Sequence, residues 1–131
     1  MVNVLVTGGA GFVGSHVAEY YAQRADDVVV YDNLSRGALL GYGTVHARYN
    51  WNYLARYETI RFVQGDIRAA AKLHEAAQSA DVIIHTAAQT AVTTSLHDPR
   101  TDFELNALGT FNVLEAARQR SDFLLYGGLY Y

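Results

Sequence analysis

The residues best suited to chemistry in this chain are four glycines and one carboxylate that follow two apolar stretches. Gly8, Gly9, Gly11 and Gly14 come after the first stretch, and Asp32 ends the second. Because glycine has no Cβ, such a cluster turns tightly and lies close to a diphosphate. A helix that begins there adds free N–H groups and a dipole that favour an anion. A carboxylate roughly 20 residues further on accepts hydrogen bonds from a ribose 2′-hydroxyl and repels a 2′-phosphate, so the pattern predicts a dinucleotide site.

The elements predicted around these residues are a strand, a turn, a helix and a second strand. Val2–Thr7 and Val28–Tyr31 are rich in β-branched residues, which is typical of buried strands. Between them, Gly11–Arg24 has helical spacing, and Gly14 allows this helix to pack closely on the first strand. Its apolar face is predicted to contain Phe12, Val13, Val17, Tyr20 and Tyr21. This order favours a nucleotide-binding βαβ unit over the alternative, a glycine-rich turn that binds no ligand.

The composition bounds the class of protein. The 131 residues are enough for one domain with a hydrophobic core; half are hydrophobic and 18% are charged. The formal net charge of −3 argues against nucleic acid or an anionic membrane as the main partner. We see neither an apolar run of the ~18 residues that a membrane span needs nor a basic leader. The absence of cysteine excludes thiolate chemistry and fits a cytoplasmic location, and the five histidines lack metal-ligand spacing, so no metal site is expected.

The whole chain has the pattern of five strands that alternate with four helices. Further strands are predicted at Ile60–Gln64, Asp81–Thr86 and Phe123–Tyr126. Near-continuous apolar strands are typical of a parallel sheet covered on both faces. Right-handed crossovers then give the strand order 3-2-1-4-5, so we predict one Rossmann-like, doubly wound α/β domain over residues 1–131. The switch point of this strand order lies between strands one and four, where Gly8–Gly14, Asp32 and Ala87–Ser95 would line a ligand crevice.

Two predicted helices lie in the second half of the chain. Ala69–Gln78 is short and rich in alanine, and a longer helix extends to about Arg120. Asp98 and Pro99 suit the N-cap and first position of this longer helix. Its buried face is predicted to contain Phe103, Ala107, Phe111, Leu114 and Ala117.

Two stretches leave more than one interpretation. Tyr49, Tyr53 and Tyr57 recur every four residues, which favours a helix packing its rings on the sheet over an aromatic cage for a ligand. Ala87–His97 has the small polar composition of a loop. Hydroxyl groups in that loop are more typical of turn stabilisation than of substrate contact.

Four motifs resemble those of the extended short-chain dehydrogenase/reductases, which include sugar-nucleotide epimerases and dehydratases. They are Thr7–Gly14, Tyr31–Gly37, Gly65–Arg68 and His85–Gln89. Three segments further along resemble the CDP-tyvelose (CDP-paratose) 2-epimerase branch of that family: Ala91–Ser95, Asp98-Pro99 and Asp102–Thr110. The resemblance extends from residue 1 to about residue 126.

The resemblance implies a tightly held NAD that oxidises a sugar carbon transiently and returns the hydride to the other face. By position, the diphosphate would contact Gly8, Gly11, Phe12 and Val13, and the adenosine ribose would contact Asp32, Asn33, Ser35 and Arg36. The adenine would be flanked by Asp66 and Ile67. The nicotinamide side would be bordered by Ala87, Ala88 and Gln89. Asp32 disfavours NADP through repulsion of its 2′-phosphate, although Arg36 keeps NADP open.

Two residues of the resembling motifs have alternative roles. Asn106 matches an asparagine of the family's central helix, where a catalytic amide and a structural amide bonded to backbone are both open. His85 lies at a strand end, where a hydrogen-bonded core residue is favoured over a catalyst.

The chain departs from the family where the family's catalytic residues begin. The resemblance calls for a serine or threonine after the fifth strand and then Tyr-x-x-x-Lys, whose tyrosine is the acid/base. This chain has Gly127-Gly128 there, Tyr130 follows Tyr126 at the lysine spacing, and its one lysine is Lys72. We therefore expect this chain to contain no catalytic residue. We interpret it as the NAD-binding part of an epimerase, and only the full-length parent would bind the nucleotide sugar. A homo-oligomer is expected to cover the exposed apolar surface; the alternative function is a non-catalytic dinucleotide-sensing module.

Overall fold

The computed structural model describes residues 1–35, 45–119 and 124–127, and within these ranges five strands form one parallel sheet. The strands are β1 Asn3–Thr7, β2 Asp27–Asp32, β3 Ile60–Gln64, β4 Val82–His85 and β5 Leu124–Gly127. Their order, β3-β2-β1-β4-β5, confirms the predicted topology. Thr7 pairs with both Tyr31 and His85, so the carboxyl ends of β1, β2 and β4 lie level at one edge of the sheet.

The helices flank this sheet on both faces. They are α1 Phe12–Gln23, α2 Val45–Leu54, α3 Ala70–Ala77, α4 Val92–His97, α5 Pro99–Phe103 and α6 Gly109–Arg118, with a π-helical turn at Glu104–Leu108 between the last two. The predicted residue Arg120 and the predicted strand start Phe123 lie outside the described residues.

Alternate strand residues enter two separate hydrophobic cores. Leu5 and Ile83 pack with α3 and α6, and both are fully buried. Val4 and Val28 point to the other face and pack with α1 and α2, each 1% exposed. Strands buried on both faces need apolar side chains at nearly every position, which explains why they could be recognised from the sequence.

The predicted apolar face of α1 is confirmed for Val17 and Tyr21, which pack against the core, and wrong for Phe12, Val13 and Tyr20, which are exposed. Phe12 and Tyr20 are 71% and 55% exposed. The residues buried against the sheet are small, namely Gly14, Ser15, Ala18 and Ala22. A Cβ added at Gly14 would lie 2.1 Å from the carbonyl oxygen of Gly8. The helix therefore lies too close to the end of β1 for large side chains to fit beneath it.

The predicted buried face of the long helix is also wrong. Phe103, Phe111 and Leu114 are 66%, 57% and 47% exposed, and Ala107 is exposed too. Only Ala117 of the predicted set is buried, and the inward face consists of Leu105, Gly109, Asn112, Val113, Ala116 and Ala117. A Cβ at Gly109 would lie 2.4 Å from Ile67 Cδ1, so close contact again selects small residues.

The segment predicted as a loop contains one short helix. Residues 87–91 are non-helical, but Val92–His97 form α4. Asp98 then begins α5 as predicted, because its carboxylate accepts a hydrogen bond from the Thr101 N–H at 3.1 Å. The two helices are thus separated by a single capping residue, which the polar composition of the segment did not reveal.

The aromatic stretch forms a helix that covers the sheet, as predicted, although its rings have different partners. Trp51 packs against Phe62 of β3 with 4.8 Å between ring centroids. Tyr53 and Tyr57 instead donate hydrogen bonds to Glu19 of α1, and Tyr49 is 70% exposed. The prediction that the tyrosine rings share one helix face and pack on the sheet is therefore wrong for the exposed Tyr49 and for Tyr57, which lies beyond the end of α2 at Leu54.

Two absences hold within the ranges of the chain that the structure describes. None of the helices within those ranges has the length and apolarity to cross a membrane. In the same part of the chain, acidic and histidine side chains form no group of three that could hold a metal ion.

Candidate dinucleotide-binding site

The candidate site lies at the carboxyl edge of the sheet, where the chain leaves β1 toward one face and β4 toward the other. The glycine turn follows β1, and Asp32 ends β2. Asp66 and Ala87 follow β3 and β4 at the same edge. Open parallel sheets bind ligands at such a switch point, because the diverging connections leave a crevice there.

Internal contacts define the conformation of the glycine turn. Gly8 adopts φ +69°, donates its N–H to the Tyr31 carbonyl at 2.8 Å, and accepts the Gly11 N–H at 2.9 Å. A Cβ at position 8 would lie 2.7 Å from the Ala87 nitrogen. Glycine is therefore required at this position by the left-handed backbone and by the loop after β4, even before a ligand is considered.

The start of α1 offers unpaired donors. Gly11 is the N-cap with an extended backbone and makes no side-chain cap. Within the described residues, the N–H groups of Phe12 and Val13 donate to no acceptor, as expected for the first helical positions. The first turn of α1 contains no acidic residue. These donors and the positive end of the helix dipole suit an anion.

Asp32 joins the glycine turn to the loop after β2. Its Oδ2 accepts the Ala10 N–H at 3.0 Å and its Oδ1 accepts the Leu34 N–H at 2.7 Å. In the same loop, Ser35 donates through its N–H and Oγ to Asn33 Oδ1 at 3.0 and 2.7 Å. The predicted ribose site thus has a folded, hydrogen-bonded frame, while Arg36 lies outside the described residues.

Asp66 is held by an ion pair. Its two carboxylate oxygens accept bonds from Arg68 Nε at 3.0 Å and Nη2 at 2.7 Å, and Asn33 Nδ2 lies 3.3 Å from Oδ2. The hydrogen bonds from Arg68 lower the pKa of Asp66. The Tyr31 hydroxyl donates to the Asp66 carbonyl at 2.8 Å, and burial raises the pKa of Tyr31 to about 12. The Ile67 side chain is only 5% exposed and faces the core.

The loop after β4 is fastened to the long helix by Asn106. The Gln89 N–H donates to Asn106 Oδ1 at 2.8 Å, and Asn106 Nδ2 donates to the Gln89 carbonyl at 2.9 Å. The Gln89 side chain is buried and donates to Asp102 Oδ1 and to the Ala91 carbonyl, each at 3.0 Å. Asn106 therefore makes the backbone bonds that its structural alternative predicts, and Ala87 and Ala88, which precede Gln89 in the loop, are half-buried.

His85 is a buried, hydrogen-bonded residue of the core, as the sequence favoured. Its Nδ1 lies 2.6 Å from Thr7 Oγ1, and its Nε2 lies 3.2 Å from Thr110 Oγ1. The residue is 8% exposed, and burial lowers the pKa of the imidazole to about 4. The ring is therefore uncharged near neutral pH.

One contact to the glycine turn was missed by the sequence analysis. Asn50 of α2 donates through Nδ2 to the Ala10 carbonyl at 3.0 Å and lies 3.5 Å from the Gly11 carbonyl. Trp51 beside it packs against the cluster of Ala10 and Leu34. An asparagine within an aromatic stretch carries no local signal for such a contact, because its partner is far away in the sequence.

This fold and edge geometry define a Rossmann-type nucleotide-binding domain. The model of the family described as GDP-mannose 4,6 dehydratase matches residues 5–126, and the chain belongs to that family. It is 38% identical over 120 residues to CDP-paratose 2-epimerase of Salmonella typhi, which covers 90% of this chain and 33% of that protein. It is 36% identical over 118 residues to UDP-glucose 4-epimerase of Rhizobium meliloti, covering 88% of this chain and 31% of the relative.

Solved structures agree with this assignment. An epimerase from Methanothermobacter thermautotrophicus matches with a TM-score of 0.79 and 35% identity, over 95% of this chain and 34% of that one. UDP-glucose 4-epimerase of Thermus thermophilus, solved in complex with NAD, matches with a TM-score of 0.69 and 38% identity, over 89% of this chain and 34% of that one. The predicted family is confirmed, and the chain spans about a third of the length of these relatives.

Proposed function

We propose that this chain is the NAD-binding part of a nucleoside-diphosphate-sugar epimerase. The observation that carries the proposal is the pair of unpaired N–H groups of Phe12 and Val13 at the start of α1, at the edge of the sheet where Asp32 ends β2. An anion-binding helix start with a carboxylate beyond the next strand suits a diphosphate linked to a ribose. Similarity to an epimerase solved with NAD supports the choice of dinucleotide.

The residues around the crevice fit such a cofactor in their chemistry. The Phe12 and Val13 amides would bind the diphosphate, with Gly8 and Gly11 shaping the turn. Asp32, Asn33, Ser35 and Arg36 would surround the adenosine ribose. Asp66 and the backbone of Ile67, whose side chain faces the core, would flank the adenine. Ala87, Ala88 and Gln89 would border the nicotinamide side. Bound NAD supplies reversible hydride acceptance from a sugar carbon. The negative charge of Asp32 opposes a 2′-phosphate and so favours NAD over NADP.

For these 131 residues we propose NAD binding without epimerisation of a sugar. The sequence contains no Tyr-x-x-x-Lys, and its lysine, Lys72, is exposed on α3 and donates to the Gln64 carbonyl. We therefore assign the acid/base and the nucleotide-sugar substrate to the full-length parent. A homo-oligomeric state and a cytoplasmic location remain predictions within the same proposal.

The amide of Phe12 allows a direct test of the diphosphate site. Proline at position 12 removes one N–H but is tolerated at the first turn of a helix, and Gly11 already has the extended backbone that precedes proline (φ −77°, ψ 177°). Phe12→Ala is the matched control, because it removes the ring and keeps the N–H. A hydrogen bond to a charged group contributes about 1.5–3 kcal/mol, so Phe12→Pro should weaken NAD binding roughly 10- to 100-fold relative to Phe12→Ala.

Calorimetric titration with NAD and NADP in parallel measures this effect. We expect the unmodified chain to bind NAD more tightly than NADP, and Asp32→Ala to reduce that preference. Equal NAD affinity of the proline and alanine variants would exclude the helix start as the diphosphate site. Absence of NAD binding to the unmodified chain would reject the proposed function itself.

A further inference from the structure

The backbone of the glycine turn is hydrogen-bonded on two sides by residues that lie far apart in the sequence. On one side, Asp32 Oδ2 accepts the Ala10 N–H at 3.0 Å. On the other, Asn50 Nδ2 donates to the Ala10 carbonyl at 3.0 Å. The turn therefore has both polar groups of Ala10 fixed, and neither is available to a ligand.

The contact of Asn50 bears on the amides that face the crevice. Its second, longer contact is to the Gly11 carbonyl at 3.5 Å. That carbonyl belongs to the same planar peptide unit as the Phe12 N–H, and in a trans peptide the two groups point in opposite directions. The Gly11 carbonyl also accepts the Ser15 N–H at 3.0 Å, the first hydrogen bond of α1. The Asn50 amide is a second contact on the same peptide unit, and it restrains the direction of the Phe12 N–H together with that helical bond.

We propose that Asn50 is a positioning residue of the diphosphate site, which aims the Phe12 N–H without touching the ligand. This inference rests on the proposed NAD-binding function. The side chain reaches the turn from α2, outside the strand–turn–helix unit, so the site would depend on a helix that the glycine motif does not include. Trp51 packs against Ala10 and Leu34, a contact that a substitution of Asn50 does not remove.

The test compares ligands that carry a diphosphate with one that does not. The variants are Asn50→Ala and Asn50→Asp, the second of which keeps the shape but cannot donate to a carbonyl. Asn52→Ala is the matched control, since Asn52 is exposed on the same helix. NAD, ADP and adenosine are titrated against each protein. We expect both Asn50 variants to lose roughly 5- to 20-fold in affinity for NAD and ADP and to keep their affinity for adenosine.

A second readout is independent of any ligand. The backbone amide resonance of Phe12, observed by NMR in the free proteins, is expected to shift in both Asn50 variants and to stay unchanged in Asn52→Ala. A parallel loss of affinity for all three ligands, or an unchanged ratio of NAD to adenosine affinity, would overturn the positioning role. If the unmodified chain fails to bind NAD, the proposed function fails, while the Phe12 resonance still decides whether Asn50 orients the turn.

Discussion

Thr110 hydrogen-bonds to His85 in an orientation that fixes the imidazole as its neutral Nε2–H tautomer. Thr110 Oγ1 donates to the Asn106 carbonyl at 2.6 Å, so it can only accept from His85 Nε2, which lies 3.2 Å away. His85 Nδ1 is then an acceptor for the Thr7 hydroxyl at 2.6 Å. The chain of bonds links the end of β1 to the π-helical turn, and in it His85 carries its single proton on Nε2.

The burial of His85 makes the stability of the fold depend on pH. Burial lowers the pKa of His85 from 6.5 to about 4, so the unfolded chain binds a proton at higher pH than the folded chain. The contribution of His85 to stability is therefore complete above pH 6.5 and is lost as the pH falls from 6.5 toward 4, by about 3 kcal/mol in total. Urea unfolding across this range should show the loss, and His85→Gln should flatten it. Equal slopes for the two proteins would contradict this assignment.

The ion pair of Asp66 and Arg68 gives a second prediction. Replacing Arg68 by methionine removes two hydrogen bonds from the Asp66 carboxylate, so its pKa should rise toward the ordinary value. Carboxyl-carbon NMR during an acid titration measures this change. Arg100→Met is the control, because the exposed Arg100 forms its ion pair with Glu104 and not with Asp66. An unchanged Asp66 pKa in Arg68→Met would show that the two hydrogen bonds from the Arg68 guanidinium to the Asp66 carboxylate do not form in solution.

Glu19 of α1 clamps Tyr53 of α2 and Tyr57, which follows α2, and this contact gives a third prediction. One of its carboxylate oxygens accepts both the Tyr53 and the Tyr57 hydroxyls at 2.7 Å. Glu19→Ala should reduce the free energy of unfolding by about 1 kcal/mol, because two hydrogen bonds are lost at a partly exposed site. Denaturant unfolding measures the effect, and a double-mutant cycle with Tyr53→Phe and Tyr57→Phe should show both couplings. Strictly additive effects would mean that the clamp does not form.

The parts of this fold that were predictable are those set by local pattern. Three features can each be recognised within a few residues of sequence: the apolar strands buried on both faces, the glycine cluster and the helix-capping Asp98. The strand order and the edge of the sheet that holds the candidate site could therefore be predicted from the sequence. The inward faces of α1 and the long helix did not follow. They depend on close approaches between distant residues, such as Gly14 to the Gly8 carbonyl and Gly109 to Ile67.

The same reason explains which site residues were missed. Asn50 lies 40 residues from Ala10 in the sequence, and only the packing of α2 over the turn brings the two together. Large aromatic residues at helical spacing led to the opposite error, because they were predicted to be buried and are exposed. Apolar periodicity does not reveal whether a helix face meets the sheet or another surface.

That outward face of the long helix gives the last prediction, which concerns association. Leu108, Phe111 and Leu114 are 41%, 57% and 47% exposed, and their spacing of three residues places them along one side of the helix. Exposed apolar side chains grouped in this way are typical of a protein–protein contact, so we expect the chain to self-associate through this face. Phe111→Glu should shift the mass measured by light scattering toward the monomer. Tyr49→Glu is the control, since Tyr49 is 70% exposed on α2 and lies outside this face. A monomeric unmodified chain, or equal shifts in both variants, would rule out this face as the site of association.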